Sequence, residues 1–173
     1  MTTDGEEQKK QTTPDDLAAV LMEAACQTSA EERQALAGLA EFLQIDLGRL
    51  LAELMFLRTF AVDLAASVGL GHSPARGALM DRLYGHWERA AQESETELVE
   101  GLRVRLEYYG EAVGEEGAGG MDGSVGGAFA DCFGGEAADQ LALLGGRMFA
   151  AFYEEVAQTL AAVEIVVHED EEE

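Results

Sequence analysis

The residues of this 173-residue chain that could do chemistry are three histidines, two cysteines and 34 carboxylates. Their spacing argues against most of the chemistry such residues perform. His72, His86 and His168 are not preceded by Glu three positions earlier. The Glu-x-x-His pairs that put two iron ligands on one helical face are therefore missing. Glu164 and His168 stand four apart, but at the end of the chain, where a solvated tail accounts for them. No Asp-rich twelve-residue loop closes on a Glu in the manner of a calcium-binding hand. We expect no metal site and no cofactor. Cys26 and Cys132 form no C-x-x-C pair and read as small core residues.

Nucleophilic chemistry fares no better. Asp122-Gly-Ser124-Val-Gly126 comes nearest to a nucleophile elbow, yet the first position should be Gly. The serine of an elbow also needs a strand before it and a helix after it. The surrounding glycines lack the lysine of a phosphate loop, and Glu115, Glu116 and Asp122 would repel a phosphate. Glu93, Glu95, Glu97 and Glu100 read as a solvated helical face. No catalytic residue is assigned, and a non-enzymatic protein is the expectation.

Three places still ask for an account. Arg58 lies within a long apolar run, among Leu51, Leu54, Met55, Val62 and Ala65 at helical spacing. An unpaired buried charge is costly, so its guanidinium needs either a structural ion pair or a bound anion or partner carboxylate. His86 and Trp87 are a candidate pocket pair. Phe56 and Phe60 share a stripe with Arg49, Glu53, Asp63 and Ser67, a face that a simple bundle turns to water. A neighbouring helix must cover the two rings as core, or a second chain must cover them as an interface.

The element carrying Arg58, Phe56 and Phe60 organises the rest. From about 46 to 69 the sequence is apolar on nearly its whole circumference, as in the central helix of a bundle. Asp46 is placed to cap its start, and Gly69 or Gly71 to stop it. A membrane span has similar length, but Arg49, Glu53, Arg58 and Asp63 within the run argue against one. Around it, Thr13-Pro14-Asp15-Asp16 opens a helix with Leu17, Val20, Leu21 and Ala24 inward. Ser29 to Glu32 is a capping box before Leu36, Leu39, Ala40 and Leu43. Ser73-Pro74 starts a stripe of Leu79, Met80, Leu83, Tyr84 and Trp87. Ser94 to Glu97 is a further capping box that divides residues 74–113 into two helices. The last helix carries Leu141, Leu144, Met148, Phe152, Val156, Leu160 and Val163, with Gly145-Gly146 marking a kink or a close helix contact.

The expected fold is thus all-α: a bundle of about six helices around the 46–69 helix, forming one domain over 13–167. Residues 1–12 and the acidic 168–173 read as disordered tails. Residues 114–127, half of them glycine, read as a flexible loop.

Net charge is −23, and the only lysines are Lys9 and Lys10. Phosphate binding needs clustered cations, so neither nucleic acid nor an anionic membrane is an expected partner. Solubility, a basic protein partner or a salt-adapted host each accounts for the acidity. The polar, acidic N-terminus does not read as a secretory leader, and a cytoplasmic location is the expectation. The function expected is a protein-interaction module, such as an adaptor, regulator or chaperone-like accessory factor. Two alternatives are a ligand-binding sensor or small helical enzyme with a pocket near Arg58 or His86, and a structural homodimer subunit.

Overall fold

The computed structural model describes residues 9–94, 98–114, 120–134 and 137–167. Among these are seven helices and one pair of three-residue strands. The chain runs β1 (Lys10–Thr12), α1 (Pro14–Cys26), α2 (Ala30–Leu43), α3 (Leu47–Leu70), α4 (Pro74–Ser94), α5 (Leu98–Gly114), α6 (Gly120–Asp131), α7 (Ala138–Ala162) and β2 (Val163–Ile165). The all-α bundle is what the sequence reading expects.

Capping sets the helix starts. Thr13 Oγ1 accepts from the Asp16 amide at 3.1 Å, and Ser29 Oγ accepts from the Glu32 amide at 3.1 Å. Asp46 Oδ1 accepts from the Arg49 amide at 2.7 Å, satisfying an amide that the first turn leaves without an intrahelical partner. Gly71 ends α3 with φ at +57°, a conformation that a residue with a Cβ rarely adopts.

α3 is apolar nearly all round because it serves two cores. Its stretch from Leu50 to Ala61 sends Leu50, Leu54, Leu57, Phe60 and Ala61 into one cluster with residues of α2, α5, α6 and α7. Its C-terminal half sends Val62, Ala65 and Ala66, together with Phe56, into another with α1, α4, α5 and α7. A helix with a single inward stripe could not seal both.

The structure corrects three expectations. Val20 is 57% exposed, and α1 turns Leu17, Ala18, Leu21 and Ala25 inward instead. Residues 10–12 are not a disordered tail: β1 pairs in parallel with β2, Lys10 opposite Val163 and Thr12 opposite Ile165. The other tail residues, 1–8 and 168–173, lie outside the described residues, as do 95–97 of the expected capping box and 115–119 of the expected loop. The third correction is that residues 120–127 are not loop. They form the first two turns of α6.

The glycines of that segment make room for a neighbour. A Cβ on Gly126 would stand 2.2 Å from the Ala142 carbonyl oxygen of α7, and one on Gly146 would stand 2.8 Å from the Asp122 carbonyl oxygen. A Cβ on Gly145 would meet the Phe129 ring at 2.6 Å. Helices α6 and α7 thus pack backbone to backbone, the close contact that Gly145-Gly146 signals. This contact repays the helix propensity lost at each glycine, on the order of 1 kcal/mol. Gly126→Ala should therefore destabilise the protein by about 1–3 kcal/mol or more, because a backbone carbonyl cannot rotate away as a side chain can. Gly123, in the same helix, has nothing within 4 Å of a built Cβ. Gly123→Ala should stabilise by roughly 0.5–1 kcal/mol. Urea denaturation of the two variants checks the opposite signs.

Candidate functional site

α5 is held against α3 at three points. Arg105 donates to Glu53 through both arms of the carboxylate, Nε to Oε2 at 2.7 Å and Nη2 to Oε1 at 2.5 Å. Phe56 lies beneath Gly101, where a Cβ would sit 3.4 Å from the ring. Phe60 meets Tyr109 with ring centroids 5.5 Å apart, and its other side stacks on Phe149 of α7 at 5.9 Å. The middle of the stripe that a simple bundle would leave wet, Glu53, Phe56 and Phe60, is therefore covered within the chain. Phe56 is 9% exposed, Phe60 4% and Glu53 5%.

Between α4 and α5, over α3, a cleft of about 500 Å³ remains open. Leu102, Leu106 and Val99 of α5 give it an apolar floor and wall, with Tyr84 facing them from α4. Its polar rim is Glu88 of α4, Glu107 and Arg103 of α5, and Asp63 of α3. Arg103 is drawn away along its own helix, donating to Glu100 at 2.9 Å in an exposed pair. Such exposed pairs contribute little to stability.

Asp63 has Arg76 as its nearest cation, at 3.9 Å, too long for a hydrogen bond. The Nε of Arg76 is itself buried without a hydrogen-bond partner. Burial pushes the Asp63 carboxyl up, and Arg76 pulls it part of the way back. The Tyr84 hydroxyl is pushed up to about 12 by burial and by the neighbouring Asp63 charge, against Arg76. Because the folded protein raises the Asp63 pKa, the native state binds this proton more tightly than the unfolded chain. The stability lost to Asp63 ionisation thus grows as pH rises from about 4, the ordinary carboxylate value, through the raised value. Asp63→Asn should gain stability over wild type across that window and hold the gain at neutral pH. Unfolding free energies of both proteins from acid to neutral pH check this, and a gain that shrinks as pH rises would contradict it.

The residues singled out in the sequence lie elsewhere. Arg58 closes the joint between α1 and α2: Nη1 donates to the Gln27 carbonyl at 2.7 Å, and Nη2 pairs with Glu32. The guanidinium also lies 5.8 Å from the centre of the Phe152 ring. The Gln27 carbonyl ends α1 and Glu32 lies in the first turn of α2, so one cation spans two helix termini. His86 and Trp87 point to different places. The Trp87 side chain is core at 1% exposure, and its Nε1 has no hydrogen-bond partner. His86 joins α4 to α1, with Nε2 3.5 Å from Asp15 and Nδ1 2.8 Å from Arg89. The groove nearby, about 560 Å³, is walled by Asp15, Asp81, Arg82 and Arg89 and offers no apolar anchor.

Comparison of the chain with protein-family models, with curated proteins and with solved structures finds no match in any of the three. What the site does must therefore be argued from its own geometry.

Of the two cysteines expected in the core, Cys26 is exposed and Cys132 is half-buried. Burial pushes the Cys132 thiol up, which disfavours its nucleophilic thiolate, and its Sγ contacts the Ala128 carbonyl at 3.4 Å. The Tyr109 hydroxyl, fully buried, is likewise raised and lies 4.0 Å from Cys132 Sγ. Among the described residues no three His, Cys, Asp or Glu side chains gather as a metal site. No helix among them is long and apolar enough to cross a membrane.

Sequence reasoning missed the cleft. Asp63 was visible as part of a polar stripe, and Tyr84 and Glu88 stand one helical turn apart. Nothing local indicates that the facing helix leaves an open space beside them.

Proposed function

We propose that this protein is a non-enzymatic interaction module, an adaptor or regulator that holds a partner protein in the cleft between α4 and α5. The observation that carries this reading is the cleft itself: half-buried Val99 and Leu106 left open beside Tyr84, over a buried Leu102, with carboxylates on both walls. Apolar surface kept open at a polar rim is the usual anatomy of a recognition groove. Two groups that could support catalysis are committed to structure, Arg58 in a helix joint and Tyr109 in the packed interior.

A photo-reactive side chain placed at Val99, in the cleft, tests the proposal in extracts of the native host. The expected result is a discrete protein adduct that is absent when the same group is placed at Leu143, which is 57% exposed on α7. Identical adduct patterns from both positions would count against the cleft. An adduct of two copies of this chain would favour a structural homodimer instead.

One observation favours a second reading. A volume of about 500 Å³ lies within the usual range of small-molecule sites, roughly 300–1,000 Å³. A ligand sensor would show no protein adduct at position 99. It would instead gain thermal stability from a low-molecular-weight fraction of the extract.

A further inference from the structure

Resting on the cleft as the recognition surface, we infer that its occupant is a basic amphipathic helix of another protein, laid along α5 with its apolar face on Val99 and Leu106, the half-buried apolar side chains of the lining. Groove shape, charge and the exclusion of self each lead there. The α5 wall is built by Val99, Leu102 and Leu106, spaced three and four apart, with Arg103 and Glu107 beside them. At about 1.5 Å per residue this wall is roughly 11 Å long, matching two turns of a facing helix that presents apolar residues at i, i+3 or i+4, and i+7.

Charge then selects the sign of the flanks. Glu88 stands on one wall and Glu107 on the other, and Asp63, also in the lining, has Arg76 at 3.9 Å as its ion partner among the described residues. The single cation of the rim, Arg103, is already paired with Glu100. Lysines or arginines flanking an apolar stripe meet complementary charge on both sides, whereas glutamates there would be repelled.

The chain itself is a poor occupant. After Lys10 it has no lysine and its nine arginines are scattered over the sequence, and with a net charge of −23 a second copy approaches against repulsion. The segment holding Lys10 is engaged in pairing with Val163 in β1 and β2.

The test uses the full chain and two labelled synthetic helical peptides, each with leucines at i, i+3, i+4 and i+7. One carries lysines and the other glutamates at the flanking positions, and binding is read by fluorescence anisotropy. The lysine peptide should bind saturably at one per chain. The double variant Glu88→Lys/Glu107→Lys should weaken it at least tenfold. The control Glu41→Lys/Glu154→Lys changes net charge equally at exposed positions of α2 and α7, and should leave affinity within about twofold. Failure of the lysine peptide to saturate, equal binding of the glutamate peptide, or equal loss from both pairs of reversals would each overturn the inference. A partner trapped at position 99 that presents no basic helix would overturn it too, while leaving the interaction-module reading intact.

Discussion

Replacing Phe56 and Phe60 together by Ser should leave this protein unfolded at room temperature. Large-to-small changes at a buried Phe cost about 3–5 kcal/mol each, and whole domains are stable by only about 5–15 kcal/mol. Both rings are covered from within the chain. Phe60 is wedged between Tyr109 of α5 and Phe149 of α7, so its loss opens a space at the meeting of three helices. Phe56 fills the space that Gly101 leaves on α5. The two sites lie one turn apart and share α5 as a wall, so their costs should not add in full. Even a partial sum approaches the stability of a typical domain. Circular dichroism and urea titration of the double variant check this. A variant that keeps its helix content and its midpoint but loses a partner would place the rings on an interface, contrary to the packing.

The next largest effect is expected at the pair joining α3 to α5. Arg105→Met leaves the Glu53 carboxylate buried with both of its charge-assisted bonds gone. Breaking a buried pair by removing one partner costs about 3–5 kcal/mol, and the low end applies because the Arg105 side chain keeps 27% exposure. Glu53→Gln should cost less, about 1.5–3 kcal/mol, the range for a hydrogen bond to a charged group, since the half-wet guanidinium can turn to solvent. The double replacement Glu53→Met/Arg105→Met should recover most of the loss, because a packed apolar pair needs no desolvation of charge. Calorimetric melting of the three variants gives the order. A double variant no better than Arg105→Met alone would show that the pair itself, and not the cost of an orphaned carboxylate, holds the helices.

These two expectations mark where local signals end. The start of α3 at Leu47 and its stop at Gly71 were legible because Asp46 and the glycine act on amides and carbonyls within one turn of themselves. The starts of α1 and α2, at Thr13 and Ser29, follow from the same short-range bonding. The all-round apolarity of α3 announced a central helix, and the two cores it feeds explain why no single stripe could serve.

Tertiary structure decided what depends on distant partners. The pairing of Glu53 with Arg105 joins positions 52 apart in sequence, and no periodicity selects Arg105 over the other arginines. The strand at Lys10–Thr12 exists only because Val163–Ile165 returns beside it. Val20 fits the apolar stripe of α1, but the bundle buries Ala18 and Ala25 and leaves Val20 57% exposed. The glycines from 120 to 127 carry the composition of a loop, and composition cannot tell a residue that lacks a side chain for flexibility from one that lacks it for closeness. Only the approach of α7, with the Ala142 carbonyl 2.2 Å from where a Cβ on Gly126 would stand, makes that segment a helix. The cleft belongs to the same class. Its residues are ordinary members of amphipathic helices, and it exists where α4 and α5 leave space between them beside Asp63 of α3.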